Sequence, residues 1–245
     1  MRSEFPLIAA MLAVAAMPGT ARAQAMHSTC PQITVGAAQV GGEAPMTFTR
    51  RAIDGRTILV AEGGVVAQTP AALSAALAQP GTIDEIWLRS PGGHAMAGNQ
   101  AAEVIRKSGI PVRIPTGWWC ISACNFLFFG GAIRMIDAGG QFGVHMATVV
   151  NDNRFVDRTV AASRKKSPDA LMARIAENEQ QTAMLTASDI DVVLRMGISR
   201  KLLSEVMYTQ RADTWRDGRP GRERPPVFRC LSQAEMRRYN VINVD

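Results

Sequence analysis

The sequence predicts an α/β domain with a largely parallel sheet. From Thr57 to Met146, short apolar runs of strand character alternate with helical runs, and glycine- or proline-containing turns separate them. Such alternation is typical of βαβ units, in which helices cover parallel strands. A hydrophobic content of 47% with 20% charged residues over 245 residues is ordinary globular composition, which excludes a wholly disordered chain.

The elements of this core follow one another closely. Strands are predicted, from apolar runs that end at turn residues, at 57–62, 83–88, 112–114, 133–136 and 142–146. A first helix is predicted at 69–77, where proline follows a threonine cap. A second helix carries the stripe Ala101, Val104 and Ile105 and ends at Gly109, and a third covers 123–129.

The chain after Asn151 has a helical pattern. Helices are predicted at 169–185, 188–196 and 199–207, and Ser232 with Glu235 forms a capping box that opens a short last helix. These segments are interpreted as helical C-terminal additions to the α/β core, so that residues 57–245 form one domain.

The residues before this domain are interpreted as two segments. Residues 1–23 resemble a signal peptide, with Arg2, an apolar run at 7–16 and a small-x-small site ending at Ala23. We expect cleavage after Ala23 and a periplasmic or secreted protein, with no stable membrane span after cleavage; an uncleaved anchor is the alternative. Residues 24–56 are expected to be irregular.

The positive charge is concentrated near the C-terminus. The net charge is +6, and residues 211–229 hold six arginines against two aspartates and one glutamate, with interspersed glycine and proline. This composition favours a solvated loop. The alternative, a nucleic-acid-binding arm, lacks interleaved aromatic residues and does not suit an exported protein, so no nucleic-acid partner is expected.

The four cysteines indicate disulfides if the protein is exported. We expect the pairs Cys30–Cys230 and Cys120–Cys124. The alternative is a zinc site, but the chain has only three histidines and the Cys-x3-Cys spacing is weak support. No metal is predicted.

The turn after the second predicted strand is the first segment that could take part in binding or catalysis. Gly92 and Gly93 follow Ser90-Pro91 at the carboxyl end of this strand. Ligands bind at this edge of open α/β sheets, and glycines let the backbone approach a substrate. The alternative is an ordinary turn.

A serine and a histidine supply the other two segments. Ser122 stands between Cys120 and Cys124, at the start of the third predicted helix, where N–H groups could stabilise an oxyanion. The alternative is that Ser122 only caps that helix. His145 ends an apolar strand and is the best-placed general base, with a buried structural histidine as the alternative.

The ordered combination of Ser-Pro-Gly-Gly, an apolar helix, a small-residue-flanked serine and Gly-x-His resembles the Clp peptidase superfamily, which includes signal peptide peptidase A and the crotonases. The closing Leu231-Ser232 and Ala234-Glu235 are also similar. The resemblance implies a ClpP/crotonase-like fold of stacked ββα units. It implies these roles: nucleophile Ser122, base His145, oxyanion donors Gly92 and Ala123, and a turn shaped by Gly93.

The third catalytic residue is where the sequence departs from the superfamily. Clp peptidases have an aspartate just before the closing Leu-Ser, whereas this chain has Phe228-Arg229-Cys230 there. Asp213 is the first choice to orient His145, and Asp217 is the second. Other candidates are expected to be solvated or to cap helices: Asp189 and Asp191, and, for a Ser-Lys mechanism, Lys165, Lys166 and Lys201.

The resemblance therefore implies an exported serine peptidase that acts on peptides or proteins, needs no cofactor and self-associates. Two alternatives remain at this stage. A catalytically decayed scaffold or binding protein is favoured by the missing aspartate. A crotonase-like acyl-CoA enzyme would share the glycines but would not need Ser122 and His145 together.

Overall fold

The structure is a computed structural model that describes residues 44–145, 160–161, 168–209 and 228–244. Its first sheet begins with a β-hairpin that the sequence analysis missed. β1 (Thr47–Ile53) pairs antiparallel with β2 (Arg56–Glu62). Asp54 and Gly55 connect them with φ of 49° and 74°, as in a type I′ turn, whose twist matches that of paired strands. The prediction that 24–56 is irregular is therefore wrong from Thr47 onward.

The remaining strands of this sheet are parallel, as predicted. β3 (Glu85–Arg89), β4 (Val112–Ile114) and β6 (Arg134–Ile136) extend the sheet in the order β1-β2-β3-β4-β6. A second sheet has the order β5-β7-β8, from β5 (Trp119–Ile121), β7 (Gln141–Val144) and β8 (Arg229–Cys230). The α/β class is confirmed.

Three helices connect these strands. α1 (Thr69–Leu77) begins with Pro70 in its first turn, where a missing N–H costs nothing. α2 (Ala95–Ser108) ends at Gly109, whose φ of 68° is the left-handed cap predicted for that glycine. α3 (Cys124–Gly130) is buried along its whole length, so its apolar residues contribute to the core on every side.

The C-terminal helices differ from the prediction in one respect. The predicted helices at 169–185 and 188–196 are one continuous helix, α4 (Pro168–Arg195). Ser188 and Asp189 suggest a helix start, but here the Nδ2 of Asn99 donates to Ser188 Oγ at 3.0 Å and to Asp189 Oδ1 at 2.9 Å. These side chains therefore bind α2 instead of capping a new helix.

In the described part of the chain, two short helical segments follow α4 and pack against the core. A π-helical turn (Leu202–Met207) follows α4, and α5 (Gln233–Arg238) starts with the predicted capping box of Ser232 and Glu235. Among the described residues, no helix is both long and apolar enough to cross a membrane.

A buried arginine fixes the C-terminal end. Arg134 is 2% exposed, and its guanidinium donates to the carbonyl oxygens of Val241 at 2.8 Å, Asn240 at 2.9 Å, Gly131 at 2.8 Å and Met196 at 3.3 Å. Burial, with the nearby charge of Arg106, lowers the pKa of Arg134 to about 10. The backbone carbonyls thus take the place of a carboxylate partner and hold the chain end against β6.

Candidate active site

Ser122 lies in a sharp turn between β5 and α3. Its φ is 59°, a left-handed conformation that non-glycine residues adopt at a cost. Every other residue from Cys120 to Gly131 is buried, and Ser122 is half-buried. The N-cap of α3 is Ala123, and this helix has no side-chain cap hydrogen bond. Ser122 is therefore not the helix cap, and its hydroxyl is presented at a strained turn, where strain often marks function.

The disulfide predicted around this turn is confirmed. Cys120 and Cys124 are bonded, with their Cα atoms 5.3 Å apart, and both are completely buried. The bond joins the middle residue of β5 to the first residue of α3, so it closes the turn that carries Ser122. Cys230 is disulfide-bonded as well, but Cys30 lies outside the described residues and the Cys30–Cys230 pairing stays a prediction.

Strand pairing brings His145 to the same sheet edge as Ser122. β5 and β7 are parallel, with Ile121 opposite Gly143, and the Ser122 N–H donates to Gly143 O at 3.2 Å. Ser122 and His145 thus leave the carboxyl ends of neighbouring strands. Among the described residues, no direct hydrogen bond joins the Ser122 hydroxyl to the imidazole. Catalytic hydrogen bonds are often long before substrate binds, so this geometry is compatible with a base.

The glycine turn after β3 packs directly on the Ser122 turn. A Cβ at Gly92 would lie 2.6 Å from Ser122 Cβ and 2.7 Å from Ala123 N, and the φ of Gly92 is 91°. A Cβ at Gly93 would lie 2.3 Å from Val65 O. Both positions therefore require glycine, and the turn is held against the candidate nucleophile.

The hydrogen bonding of the N–H groups at this contact differs from the expectation. The Gly92 N–H, expected to serve as an oxyanion donor, donates instead to Ser90 Oγ at 3.1 Å, and Ser90 is completely buried. In the described part of the chain, the N–H groups of Gly93 and Ala123 have no acceptor. The geometry therefore favours Gly93, rather than Gly92, as the partner of Ala123.

The position in register with His145 is occupied by an apolar side chain. β7 and β8 are antiparallel, with Gly143 opposite Cys230 and Val144 opposite Arg229. Continuing this register by one residue places Phe228 beside His145. Phe228 is 4% exposed and packs on Ile121. β8 thus offers no acid at this point.

The other candidate acids and lysines have varied positions. Asp213, Asp217, Lys165 and Lys166 lie outside the described residues, so their roles stay predictions. Asp189, expected to be solvated or capping, is instead 5% exposed, and burial raises the pKa of its carboxyl to about 6, partly offset by the hydrogen bond from Asn99. Two residues form ion pairs on the surface: Asp191 with Arg195, and Lys201 with Glu205.

Two polar residues near the turn were missed in the sequence. Ser90 was treated as part of a turn, although its buried hydroxyl accepts the Gly92 N–H. Asn125 was treated as part of an apolar helix. Its signal was that it is the one polar residue in the run 123–129. Among the described residues, no group of three or more His, Cys, Asp or Glu side chains could hold a metal ion.

Comparison with known proteins gives structural matches only. No protein-family model and no curated protein sequence matches the chain. A ClpP1 mutant from Listeria monocytogenes is 15% identical, with a TM-score of 0.48 over 76% of this chain and 88% of that chain. A mutant of the membrane-bound stomatin-specific protease 1510-N is 14% identical, with a TM-score of 0.43 over 75% of each chain.

An enoyl-CoA hydratase from Mycobacterium smegmatis is 13% identical, with a TM-score of 0.28 over 61% of this chain and 85% of that chain. At these identities and TM-scores, the matches assign neither a family nor an activity to this chain. The chain has an α/β fold in which helices connect the strands of a largely parallel first sheet.

Proposed function

We propose that this chain is a serine hydrolase with Ser122 as nucleophile and His145 as general base. The observation that carries the proposal is the Ser122 turn. Its serine is the half-buried residue of a buried stretch, in a left-handed conformation and without a capping role. The N–H groups of Gly93 and Ala123, which lack acceptors among the described residues, suit an oxyanion hole next to it.

The proposed reaction is acyl transfer through a covalent intermediate. His145 accepts the hydroxyl proton while Ser122 Oγ forms a bond to the carbonyl carbon of the substrate. The negative charge on the carbonyl oxygen is stabilised by the Gly93 and Ala123 N–H groups. The imidazolium then protonates the leaving group, and an acyl-enzyme remains. Water, deprotonated by His145, hydrolyses this ester and regenerates Ser122.

The substrate class and the location are part of the same proposal. A peptide or protein substrate follows from the resemblance of the motifs to Clp peptidases. Export follows from the signal-peptide pattern of residues 1–23, which lie outside the described residues. The Cys120–Cys124 disulfide supports export, because disulfides persist in oxidising compartments.

A catalytically decayed scaffold is the second candidate. One observation favours it: Phe228, a buried apolar residue, lies in register with His145, where the resemblance implies an aspartate. A Ser-His dyad without a carboxylate is a weaker catalyst than a triad, because the carboxylate of a triad stabilises the imidazolium.

Hydrolysis by serine variants distinguishes the two candidates. The purified protein is assayed with fluorogenic ester and peptide substrates beside Ser122→Ala, His145→Ala and, as a matched control, Ser204→Ala, which changes an exposed serine of the π-helical turn. A hydrolase loses turnover in the first two variants and keeps it in the control. Equal rates in wild type and Ser122→Ala contradict the proposal, and a folded wild type without turnover supports the scaffold.

A further inference from the structure

Asn125 is a fully buried polar residue in a helix that is otherwise apolar. It lies in the first turn of α3, its exposed fraction is 0%, and its Oδ1 has no hydrogen-bond partner in the described part of the chain. A buried acceptor without a donor destabilises the fold, because its lost hydration is not replaced. The asparagine is therefore not explained by stability alone.

The other end of the same amide has a defined partner. Asn125 Nδ2 donates to Gly143 O at 2.8 Å, and this carbonyl also accepts the Ser122 N–H at 3.2 Å. Gly143 precedes His145 by two residues in the chain. One carbonyl oxygen thus connects the helix after the candidate nucleophile to the strand that carries the candidate base.

The side chains of Ile121 and Phe228 pack closely around Gly143. Gly143 has no side chain, and a Cβ there would lie only 3.1 Å from Ile121 Cγ1, so the two strands approach closely. Beyond the paired residues of β5 and β7, the two hydrogen bonds to Gly143 O join the Ser122 turn and the start of α3 to β7. Of the two, the Asn125 bond is the shorter.

We propose that Asn125 is a positioning residue, whose hydrogen bond to Gly143 O fixes the distance between the Ser122 hydroxyl and the His145 imidazole. This role rests on the proposed hydrolase function. Asn125 touches neither the substrate nor the reacting atoms; it acts through Gly143. Because a misplacement of about 1 Å can cost about 100-fold in rate, a single lost hydrogen bond at this point is expected to affect turnover more than stability.

The test uses Asn125→Leu, which keeps the branching and the number of non-hydrogen side-chain atoms, removes the donor and also removes the unpartnered acceptor. Asn125→Ala is the second variant, because its smaller side chain cannot clash. The measurements are the rate of fluorophosphonate labelling at Ser122, kcat and KM for ester hydrolysis, and the thermal unfolding midpoint. We expect labelling and kcat to fall about tenfold or more with KM unchanged, and the midpoint of the leucine variant to stay or rise.

Asn99→Leu is the matched control. Asn99 is also a buried asparagine with an unpartnered Oδ1, but its Nδ2 donates to Ser188 and Asp189 of α4. This variant should lower the unfolding midpoint and leave the labelling rate of the folded protein unchanged.

The outcomes separate this role from the hydrolase itself. A reactive wild type with equally reactive Asn125→Leu and Asn125→Ala overturns the positioning role alone. Labelling that falls only in proportion to the unfolded fraction, as expected for a structural residue, overturns it as well. A wild type that does not react overturns the hydrolase and this role together.

Discussion

Gly92→Ala probes the packing that holds the Ser122 turn in place. The new Cβ would lie 2.5 Å from Ile121 O, 2.6 Å from Ser122 Cβ and 2.7 Å from Ala123 N. Two of these atoms are backbone and the third is fixed to backbone, so no flexible side chain can move away. The Ser122 turn itself must shift, or the glycine turn must move off it.

Two costs add in this variant. An L-residue in a left-handed conformation costs about 1–2 kcal/mol, and overpacking a close contact costs about 1–3 kcal/mol. We therefore expect Gly92→Ala to lower the free energy of unfolding by about 2–5 kcal/mol. If the turn moves by about 1 Å, turnover should fall about 100-fold, since Ser122 and the N–H of Ala123 move together.

Gly109→Ala is the matched control for the conformational cost. Gly109 has a φ of 68°, and a Cβ there would meet nothing within 4 Å. Its free energy of unfolding should fall by about 1–2 kcal/mol, with no change in turnover. Urea unfolding and the labelling rate at Ser122 measure both effects. If Gly92→Ala loses no more free energy of unfolding than Gly109→Ala, and if its Ser122 is labelled at the wild-type rate, the glycine turn does not support the nucleophile.

Four further variants test separate parts of the account. Burial raises the pKa of Asp189 to about 6, so between about pH 4 and 6 its carboxyl is protonated in the native state and ionised in the unfolded state. The free energy of unfolding should therefore fall by about 3 kcal/mol as the pH rises from about 4 to 6. Urea unfolding of Asp189→Asn should show no such fall. Arg134→Met removes the side-chain donor of the Val241, Asn240 and Gly131 carbonyl oxygens, whereas Met196 O keeps its hydrogen bond from Arg106. It should cost about 3–5 kcal/mol of unfolding free energy, and a wild-type melting midpoint would contradict the proposed role of this arginine in holding the chain against β6. Asp213→Asn should lower turnover by about 10⁴ if Asp213 orients His145, whereas Asp217→Asn should be near neutral; normal turnover in Asp213→Asn leaves a Ser-His dyad or a Ser-Lys variant.

The core of the fold could be predicted from the sequence because its signals are local. The stop of α2 at Gly109 and the capping box of Ser232 and Glu235 each depend on a few neighbouring residues, and the structure has both. The β1–β2 hairpin was not predicted, although Asp54-Gly55 is a local turn signal, because the polar residues of β1 obscured its strand pattern.

The parts that the sequence misplaced depend on distant contacts. Ser188 and Asp189 have the composition of a helix start, and only their hydrogen bonds to Asn99 of α2 make α4 continuous. In the same way, the bond from the Gly92 N–H to Ser90 Oγ, which changes the expected oxyanion donor, depends on the orientation of a buried hydroxyl. Residue types at a given spacing do not determine such choices.

The candidate site likewise has some features that the sequence indicates and others that depend on distant contacts. Ser122, His145 and the Cys120–Cys124 pair were found from residue type and order, and strand pairing places all four at one end of the second sheet. The position of Phe228 beside His145 required the register of β7 with β8. The sequence shows that Phe228-Arg229-Cys230 stand where an acid is expected before Leu231, but not which of these residues lies beside His145.

Covalent labelling of Ser122 tests the central claim most directly. The purified protein is incubated with a fluorophosphonate, digested without reduction, and the modified peptide is identified by mass spectrometry, with His145→Ala in parallel. The account predicts one adduct per chain, on Ser122, formed much more slowly in His145→Ala because the hydroxyl then lacks its base. A folded wild-type protein that forms no adduct, or an adduct on another serine, would contradict it.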